Sequence, residues 1–474
     1  MKKDRVIKLL LIVFLLGDLF FSFLQYYNTP LYGDVDTCVL PDKHVQKVID
    51  DPFGFRIICG EKHLNPNRFF SHFMMLKYMQ KMPLLLQSFV EPVTSVYLSA
   101  AILKIIVQIF CIFLIAWFVS GTGKVQNKGF LIAAALITPL FQVYGYWSRM
   151  GIVDQSITYT FFYALPIVLL MLFLFPIFNS YFRNLKFKKT NYLFLIPLTV
   201  ILPLSGPLNP AVILLVSFLI LVSELTEKKD GRLKFMYKQF LKLPNWYYVV
   251  LIPASVLSLY SLVLGFYNSN YEGEAIPLIK RFLLLPQGIL SYLFHSLGVP
   301  LLLTTILVNV FLLRKVQTIE SAKLLNLFRW IGIFCLLYIL LLPFGGYRPY
   351  RPLIIRYDTI IPMTIALIYI FTVSSFYLLN RAEGKYKNTF LSYMVVVLLI
   401  FTIVDYKGLG KNKCEKEAFQ KMATSVEKVV QIPKDCFIMN WVNISDYRQS
   451  ENRAELIYRW NITPEKKLFY NLPD

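Results

Sequence analysis

Long apolar runs recur along almost the whole of this sequence, and they constrain its fold more than any other feature. A helix needs roughly 20 apolar residues to cross a bilayer core. Runs of about that length, two of them shorter, lie at 7–24, 94–119, 130–146, 157–178, 192–204, 210–223, 246–266, 290–313, 329–344, 358–379 and 389–405. The composition agrees, because 56% of the residues are hydrophobic and only 16% are charged. We therefore expect a mainly α-helical, polytopic transmembrane bundle of eleven spans.

The first run follows a basic start and resembles a secretory signal, but we expect it to remain as a span. Its exit, FLQYYNTP, lacks the small-residue pair that a signal peptidase requires. The fifth and sixth runs are short and are separated only by SGPLNP, whose prolines and glycine break a helix. These two runs are predicted to form a helical hairpin.

The distribution of Lys and Arg predicts the orientation of the spans. With a cytoplasmic N-terminus, the inner loops hold nineteen Lys or Arg and the short outer loops hold six, as cytoplasmic loops should. The net charge of +21 is then explained by topology and by contact with anionic membrane lipids, and nucleic acid is not an expected partner. The chain divides into a membrane module, 1–405, and a small extracytoplasmic α+β domain, 406–474. The first extracytoplasmic loop is 26–93, and we expect a cytoplasmic (inner) membrane location.

Four cysteines lie in the two long outer segments. Cys38 and Cys59 are in the first outer loop, and Cys414 and Cys436 are in the C-terminal segment. Pairs confined to outer segments favour two disulfides in an oxidising compartment, the alternative being four free thiols.

Both outer segments contain apolar residues at helical spacing. Within 67–89, a helix with Phe69, Phe73, Leu76 and Met79 on one apolar face is predicted to lie along the membrane or against the spans. In the C-terminal domain, 414–430 is typical of an amphipathic helix and DCFIMNWV, 435–442, of a short strand.

Charged side chains gather at three places on the predicted outer side. They are Asp34 and Asp36 in YGDVD, Asp154 in the second outer loop, and Arg348, Arg351, Arg356 and Asp358 in YRPYRPLIIRYDTIIP. A carboxylate there can take a proton from a hydroxyl or bind a divalent cation, and arginine pairs bidentately with phosphate. The combination indicates a phosphate-bearing substrate at the membrane edge.

Ordinary structural roles are the alternative for each group. Asp34 and Asp36 are equally typical of a turn or of an N-cap ahead of the helix in PDKHVQKVIDD, and Asp154 of a cap for the fourth span. Interfacial arginines usually extend to lipid headgroups. The histidines at 63, 72 and 295 are typical of packing or surface positions. Lys104 is a charge within a span, and its acidic partner is not identified by the sequence.

The order of these features resembles that of the GT-C superfamily of polytopic glycosyltransferases. YGDVD occupies the place of their acidic residue after the first span, and 50–79 is similar to their surface helices. Asp154 resembles the acidic residue of their second outer loop, and RYDTIIP resembles the Arg-Tyr and downstream proline of bacterial members that transfer arabinose or mannose. The chain departs from the better-known members in that Val35 separates its two acids and its C-terminal domain is small.

The resemblance implies inverting transfer of a sugar from a polyprenyl-phosphate donor to a glycan or lipid acceptor on the outer side. Asp34 is then the expected general base, with Asp36 as its substitute or partner, and Asp154 orients the acceptor or a metal. Arg356, helped by Arg348 and Arg351, is expected to bind the lipid phosphate. A divalent cation, if one takes part, is expected at Asp34, Asp36 and Asp154.

Three other functions stay open at this point. A polymerase or ligase of lipid-linked glycans shares many spans and outer arginines. A lipid or glycan transporter requires a polar path through the spans, and the spans have few polar residues. A non-enzymatic assembly partner would use the outer loops to bind another protein.

Overall fold

A computed structural model of the chain describes residues 2–146, 150–226, 240–269, 276–347, 352–381 and 384–472. It is mainly helical, at 72%, with little sheet. Within these ranges, nine helices are long and apolar enough to cross a membrane. This is the architecture of a helical membrane protein, as the apolar runs predicted.

The helices are numbered here in chain order, with helices that continue through a π-helical turn counted as one. In the membrane module they are α1 Lys2–Tyr27, α2 Val35–Val39, α3 Lys43–Asp50, α4 Phe55–Ile58, α5 Phe69–Leu86, α6 Pro92–Ser120, α7 Lys128–Ile137, α8 Ile157–Arg183, α9 Lys189–Ile201, α10 Leu208–Thr226, α11 Tyr247–Phe266, α12 Leu278–Phe294, α13 Gly298–Val316, α14 Ile319–Leu341, α15 Ile361–Arg381 and α16 Gly384–Val404. The C-terminal segment adds α17 Lys413–Thr424, β1 Val429–Ile432, α18 Glu451–Arg459 and β2 Leu468–Asn471.

Each of the eleven apolar runs forms a helix, although two of these helices are short. The apolar helices at Lys128–Leu140 and Lys189–Ile201 fall below the length of the nine long helices. The expectation of one continuous span over 290–313 is wrong. Helix α12 ends at Phe294 and α13 begins at Gly298, because the chain bends through Ser296 and Leu297.

The centre of the bundle is built from α1, α6, α7, α8 and α15, which pack against one another. Small side chains lie buried on α6 and α7, at Ala100, Ala101, Ala116, Ala133 and Ala134. Without a hydrophobic driving force inside a bilayer, such residues let two helix backbones approach closely and gain dispersion contacts. These alanines therefore explain why α6 and α7 make one of the closest helix pairs.

The loops divide between two opposite ends of the bundle. At one end, the first loop contacts three later connections: Ser156 Oγ donates to Tyr32 O, Ser71 Oγ donates to Ser205 O, and the Asn65 N–H donates to Asn268 Oδ1. At the other end, Lys128 pairs with Asp4, and Arg381 pairs with Glu320. We call the first of these the loop-1 end.

The C-terminal segment is a small α+β unit at the loop-1 end. Strands β1 and β2 pair in parallel, with Val429 opposite Leu468, and α17 packs against β1. The helix predicted over 414–430 is present but ends at Thr424, the strand expected at 435–442 is absent, and the chain forms β1 earlier, at 429–432. The Asn412 N–H donates to Asn28 O, and Trp460 Nε1 donates to Met79 O, so this unit docks on the first loop.

The cysteines of the two outer segments behave differently. Cys414 and Cys436 form a disulfide, with 5.8 Å between their Cα atoms. The expected bond between Cys38 and Cys59 is not formed: Cys38 is buried against His72 and Cys59 is exposed.

Helix α5 presents a different face to the core from the one predicted. Leu76 and Met79 are buried as expected, but Phe73 is 37% exposed, and His72 and Met75 lie buried instead. The earlier helices of the first loop, α2 and α3, pack on α5. This packing buries the face that contains His72, which contacts Cys38.

Candidate functional site

The first-loop acids lie where the chain turns sharply after α1. Gly33 has φ +91°, and a Cβ at this position would lie 3.1 Å from the Trp441 ring and 3.2 Å from Ser156 Oγ. Glycine is therefore required both by the backbone conformation and by the close approach of two other segments. Asp34, the next residue, is exposed and begins α2 without capping it through its side chain.

Asp36 has a different environment from Asp34. It is buried, and its Oδ2 lies 3.5 Å from Nε of Arg453 in the C-terminal unit. Burial raises the pKa of Asp36, although the Arg453 charge opposes the shift. Asp36 thus joins the first loop to the C-terminal unit, whereas the Asp34 side chain is exposed.

The cap of the predicted PDKHVQKVIDD helix is neither of these residues. Asp42 precedes α3, and its side chain accepts from the N–H groups of His44 and Val45. The capping alternative therefore fails for Asp34 and Asp36 at this helix.

Asp154 lies buried beside the intramembrane charge of Lys104. Its Oδ1 accepts from the Ser156 N–H at 2.6 Å, and its Oδ2 has no hydrogen-bond partner among the described residues. Lys104 Nζ donates to Thr29 Oγ1 at 3.0 Å and to the carbonyl of Gln155. The acidic neighbour that the sequence left unidentified is thus Asp154, and Lys104 links the first and second loops.

The charge of Asp358, in the third charged cluster, acts on Asp154. Burial raises the pKa of Asp154 to about 7, and the nearby charge of Asp358 contributes to the rise, while the Ser156 N–H and Lys104 oppose it. Asp358 is itself buried and lies 3.6 Å from Nε of Arg356. A carboxyl whose pKa is raised by burial and by a second acid, with a lysine opposing the rise, is a candidate for a functional role. Arg348 and Arg351 lie outside the described residues.

Arg68, which was missed in the sequence, contacts two aromatic residues of α8, Phe162 and Tyr163. Arg68 lies above the Phe162 and Tyr163 rings, 5.2 and 5.3 Å from their centroids, and donates to Tyr163 Oη at 3.3 Å. A π-helical turn at Thr160–Ala164 sets the orientation of these rings in α8, and such turns are frequent at functional sites. Because Arg68 lies in an irregular loop, no periodic pattern could have singled it out.

An open groove of about 520 Å³ lies at the loop-1 end. It is lined by five aromatic and three polar side chains, at Tyr32, Tyr144, Gln155, Tyr406, Lys411, Phe437, Asn440 and Trp441. Gln155 follows Asp154 directly, and Tyr32 precedes Gly33 and Asp34. The groove therefore adjoins both the first and the second acidic clusters.

The expected metal ligands do not assemble a complete site. Within the ranges that the structure describes, no group of three or more His, Cys, Asp or Glu side chains is placed to hold a metal ion, so Asp34, Asp36 and Asp154 do not form one.

Comparison with known proteins adds no assignment. No protein-family model matches the chain, and no curated protein sequence matches it either.

Proposed function

We propose that this protein is an integral-membrane glycosyltransferase of the GT-C type, which moves a sugar from a polyprenyl-phosphate donor to a saccharide or lipid acceptor. The observation that carries the proposal is the convergence of three separate charged segments at one end of the bundle. Ser156 bonds to Tyr32, and Asp358 lies close enough to affect the pKa of Asp154. Acids for an acceptor thus lie in the chain beside two groove-lining residues, Tyr32 and Gln155, and the Arg356 guanidinium lies 3.6 Å from Asp358.

Asp34 fits the role of general base better than Asp36 does. Asp34 is exposed and lies two residues from groove-lining Tyr32, whereas Asp36 is buried against Arg453. A base must reach the hydroxyl proton that it removes, so accessibility favours Asp34.

The reaction follows from these positions. The Asp34 carboxylate takes the proton of the acceptor hydroxyl as the acceptor oxygen forms a bond to the anomeric carbon of the donor sugar. The bond from that carbon to the lipid-phosphate oxygen breaks, and its electron pair leaves with the phosphate. Attack opposite the leaving group inverts the anomeric configuration. Arg356 stabilises the charge that develops on the phosphate, which therefore needs no proton from an acid.

The buried cluster holds this arrangement in place. Lys104 donates hydrogen bonds to Thr29 of the first loop and to Gln155 of the second. Asp154 accepts a hydrogen bond from the Ser156 N–H, which fixes the local turn of the second loop. Because Asp154 is buried, its proposed effect on the acceptor is indirect, through the position of groove-lining Gln155.

We further propose eleven membrane crossings, with the N-terminus cytoplasmic and the loop-1 end, including 406–474, extracytoplasmic in a cytoplasmic membrane. The Lys and Arg asymmetry supports this orientation. The contacts of the first loop with the C-terminal unit support their location on the same side.

The test is transfer by the purified protein in proteoliposomes, supplied with a panel of labelled polyprenyl-phosphate hexoses, pentoses and N-acetylhexosamines and with membrane glycan acceptors. Asp34→Asn should lower kcat at least 100-fold, in the range of general-base catalysis. Arg356→Gln should raise KM for the donor, because the arginine binds the phosphate in the ground state, and lower kcat, because it binds the charge that develops in the transition state more strongly.

Asp50→Asn is the matched control, because Asp50 is an exposed acid of the same loop that bonds only to Gln46 among its described contacts. Its transfer rate should equal that of the wild type. Full activity of Asp34→Asn, or no transfer from any donor of the panel, would refute the proposal. Transfer from lipid-linked oligosaccharides alone would instead favour a glycan polymerase or ligase.

A further inference from the structure

The groove at the loop-1 end has the features of a carbohydrate site rather than of a lipid-facing surface. Tyr32 and Trp441 stack with their rings nearly parallel, at 10°, and with 5.3 Å between centroids. Trp441 is 41% exposed, so part of its ring is available to a ligand. A sugar ring presents a flat C–H face, and a large exposed aromatic ring of limited rotational freedom offers it contact area at low entropic cost.

Polar side chains lie beside the Tyr32 and Trp441 rings in the groove. The side chains of Gln155 and Asn440 line the groove, and an amide both donates and accepts hydrogen bonds, as sugar hydroxyls require. A groove that takes lipid tails would bury no such groups. The mixture of flat aromatic rings with amides therefore favours a saccharide as occupant.

A lysine within the groove adds a requirement for negative charge. Lys411 Nζ lies 3.9 Å from the Tyr144 ring centroid and 4.8 Å from that of Tyr406. No carboxylate among the described residues lies within 4 Å of this ammonium. The two rings fix the cation in position without neutralising it, which leaves it available to an anionic group.

We propose that the groove binds the acceptor of the transfer reaction, and that this acceptor is a saccharide bearing an anionic substituent, such as a carboxylate or a phosphate. The sugar ring stacks on Trp441, the amides of Gln155 and Asn440 bond its hydroxyls, and Lys411 pairs with its negative charge. The assignment as acceptor site rests on the proposed function, while saccharide binding does not.

Binding measured in the absence of any donor tests this site. The full-length protein in nanodiscs is titrated, by calorimetry, with tetragalacturonate, with a sugar phosphate, and with neutral maltotetraose. We expect the two anionic probes to bind and the neutral one to bind at least tenfold more weakly. The better of the anionic probes identifies whether a carboxylate or a phosphate is preferred.

Two variants with matched controls locate the binding. Trp441→Ala should lower the affinity for the anionic probe about tenfold, as expected for the loss of one aromatic contact. Trp330→Ala, on α14, should leave this affinity unchanged. Lys411→Gln should reduce the affinity for the anionic probe to that for maltotetraose. Lys413→Gln, an exposed lysine nearby that pairs with Glu417, should leave binding unchanged.

Several results would overturn the site. The first is that neither anionic probe binds. The second is that Trp441→Ala and Lys411→Gln bind the anionic probe as tightly as the wild type does. The third is that phosphatidylglycerol vesicles displace the probe, which would make the groove part of an interfacial belt. Asp34→Asn separates the two proposals. If it binds the saccharide but does not transfer, both stand; if it binds and transfers normally, the proposed base fails and the saccharide site remains.

Discussion

The attachment of the C-terminal unit to the bundle depends on one buried carboxylate, Glu415. Its Oε2 accepts from the Leu31 N–H at 2.8 Å and from Tyr97 Oη at 2.7 Å, and its Oε1 accepts from the Met439 N–H at 3.1 Å. These donors come from the first loop, from α6 and from the C-terminal unit itself. Despite three hydrogen bonds, burial raises the pKa of Glu415. The residue thus joins three segments at a buried interface.

The cost of removing this carboxylate follows from its partners. Glu415→Ala leaves three buried donors without an acceptor, and each unsatisfied group costs about 1–3 kcal/mol. Because the Tyr97 hydroxyl can rotate toward another acceptor, we expect a total of about 4 kcal/mol. Glu415→Gln retains an oxygen at the Oε2 position and places N–H₂ opposite the Met439 N–H. It should cost only about 1–2 kcal/mol, since the neutral amide also avoids burying a charge.

Hydrogen exchange of the α17 amides in detergent-solubilised protein measures this effect locally. Since 1.4 kcal/mol corresponds to a factor of ten, opening of α17 should become about 10³-fold more frequent in Glu415→Ala and about tenfold more frequent in Glu415→Gln. Glu417→Ala, an exposed residue of the same helix, is the control and should exchange as the wild type does. Equal protection in Glu415→Ala and Glu417→Ala would refute the role of the carboxylate.

Three other sites give predictions of the same kind. Burial and the Arg68 charge lower the pKa of His72 to about 3; an unfolded histidine titrates near 6.5, so between pH 7.5 and pH 5 the wild type should lose ~2 kcal/mol of stability relative to His72→Gln. An equal change in the thermal unfolding of both proteins between the two pH values would contradict this. Gly408→Ala should cost about 1–3 kcal/mol and lower Tm, because φ is +56° and a Cβ would lie 1.9 Å from the Tyr144 ring; an unchanged Tm would argue against that contact. Asp36→Asn and Arg453→Gln should each lower Tm, and a double-mutant cycle should give a coupling of about 1–3 kcal/mol, with zero coupling the contrary result.

The presence of the membrane helices was predictable because the bilayer alone determines it. A bilayer requires every backbone group to be satisfied within its own helix, so apolar runs could be assigned to helices without knowledge of their neighbours. The break between Phe294 and Gly298 was missed although the sequence there, HSLGVP, contains two polar residues, a glycine and a proline, which often end a helix. The buried face of α5 was also missed, since His72 is buried where Phe73 was expected to be. Packing against the rest of the first loop determines this face.

Disulfide pairing also depended on tertiary contacts that the sequence of each segment does not record. The two cysteine pairs were symmetrical in the sequence, each within one outer segment. Only Cys414 and Cys436 meet, because α17 and the turn after β1 bring them together, while Cys38 is held in the core against His72. Spacing indicates which cysteines share a compartment, but a bond needs a particular separation of Cα atoms.

The amino-acid sequence by itself determined that this chain is a helical membrane protein and which acids and arginines are candidates for chemistry. Both follow from local properties, namely hydrophobicity summed over a helix and charge placed beside it. Only the tertiary structure decided that Asp34 is exposed while Asp36 pairs with Arg453, and that Lys104 lies beside Asp154. The groove formed by Tyr32 and Trp441 likewise joins residues about 400 positions apart. Such contacts depend on how helices and loops pack, and no periodic pattern in a single segment records them.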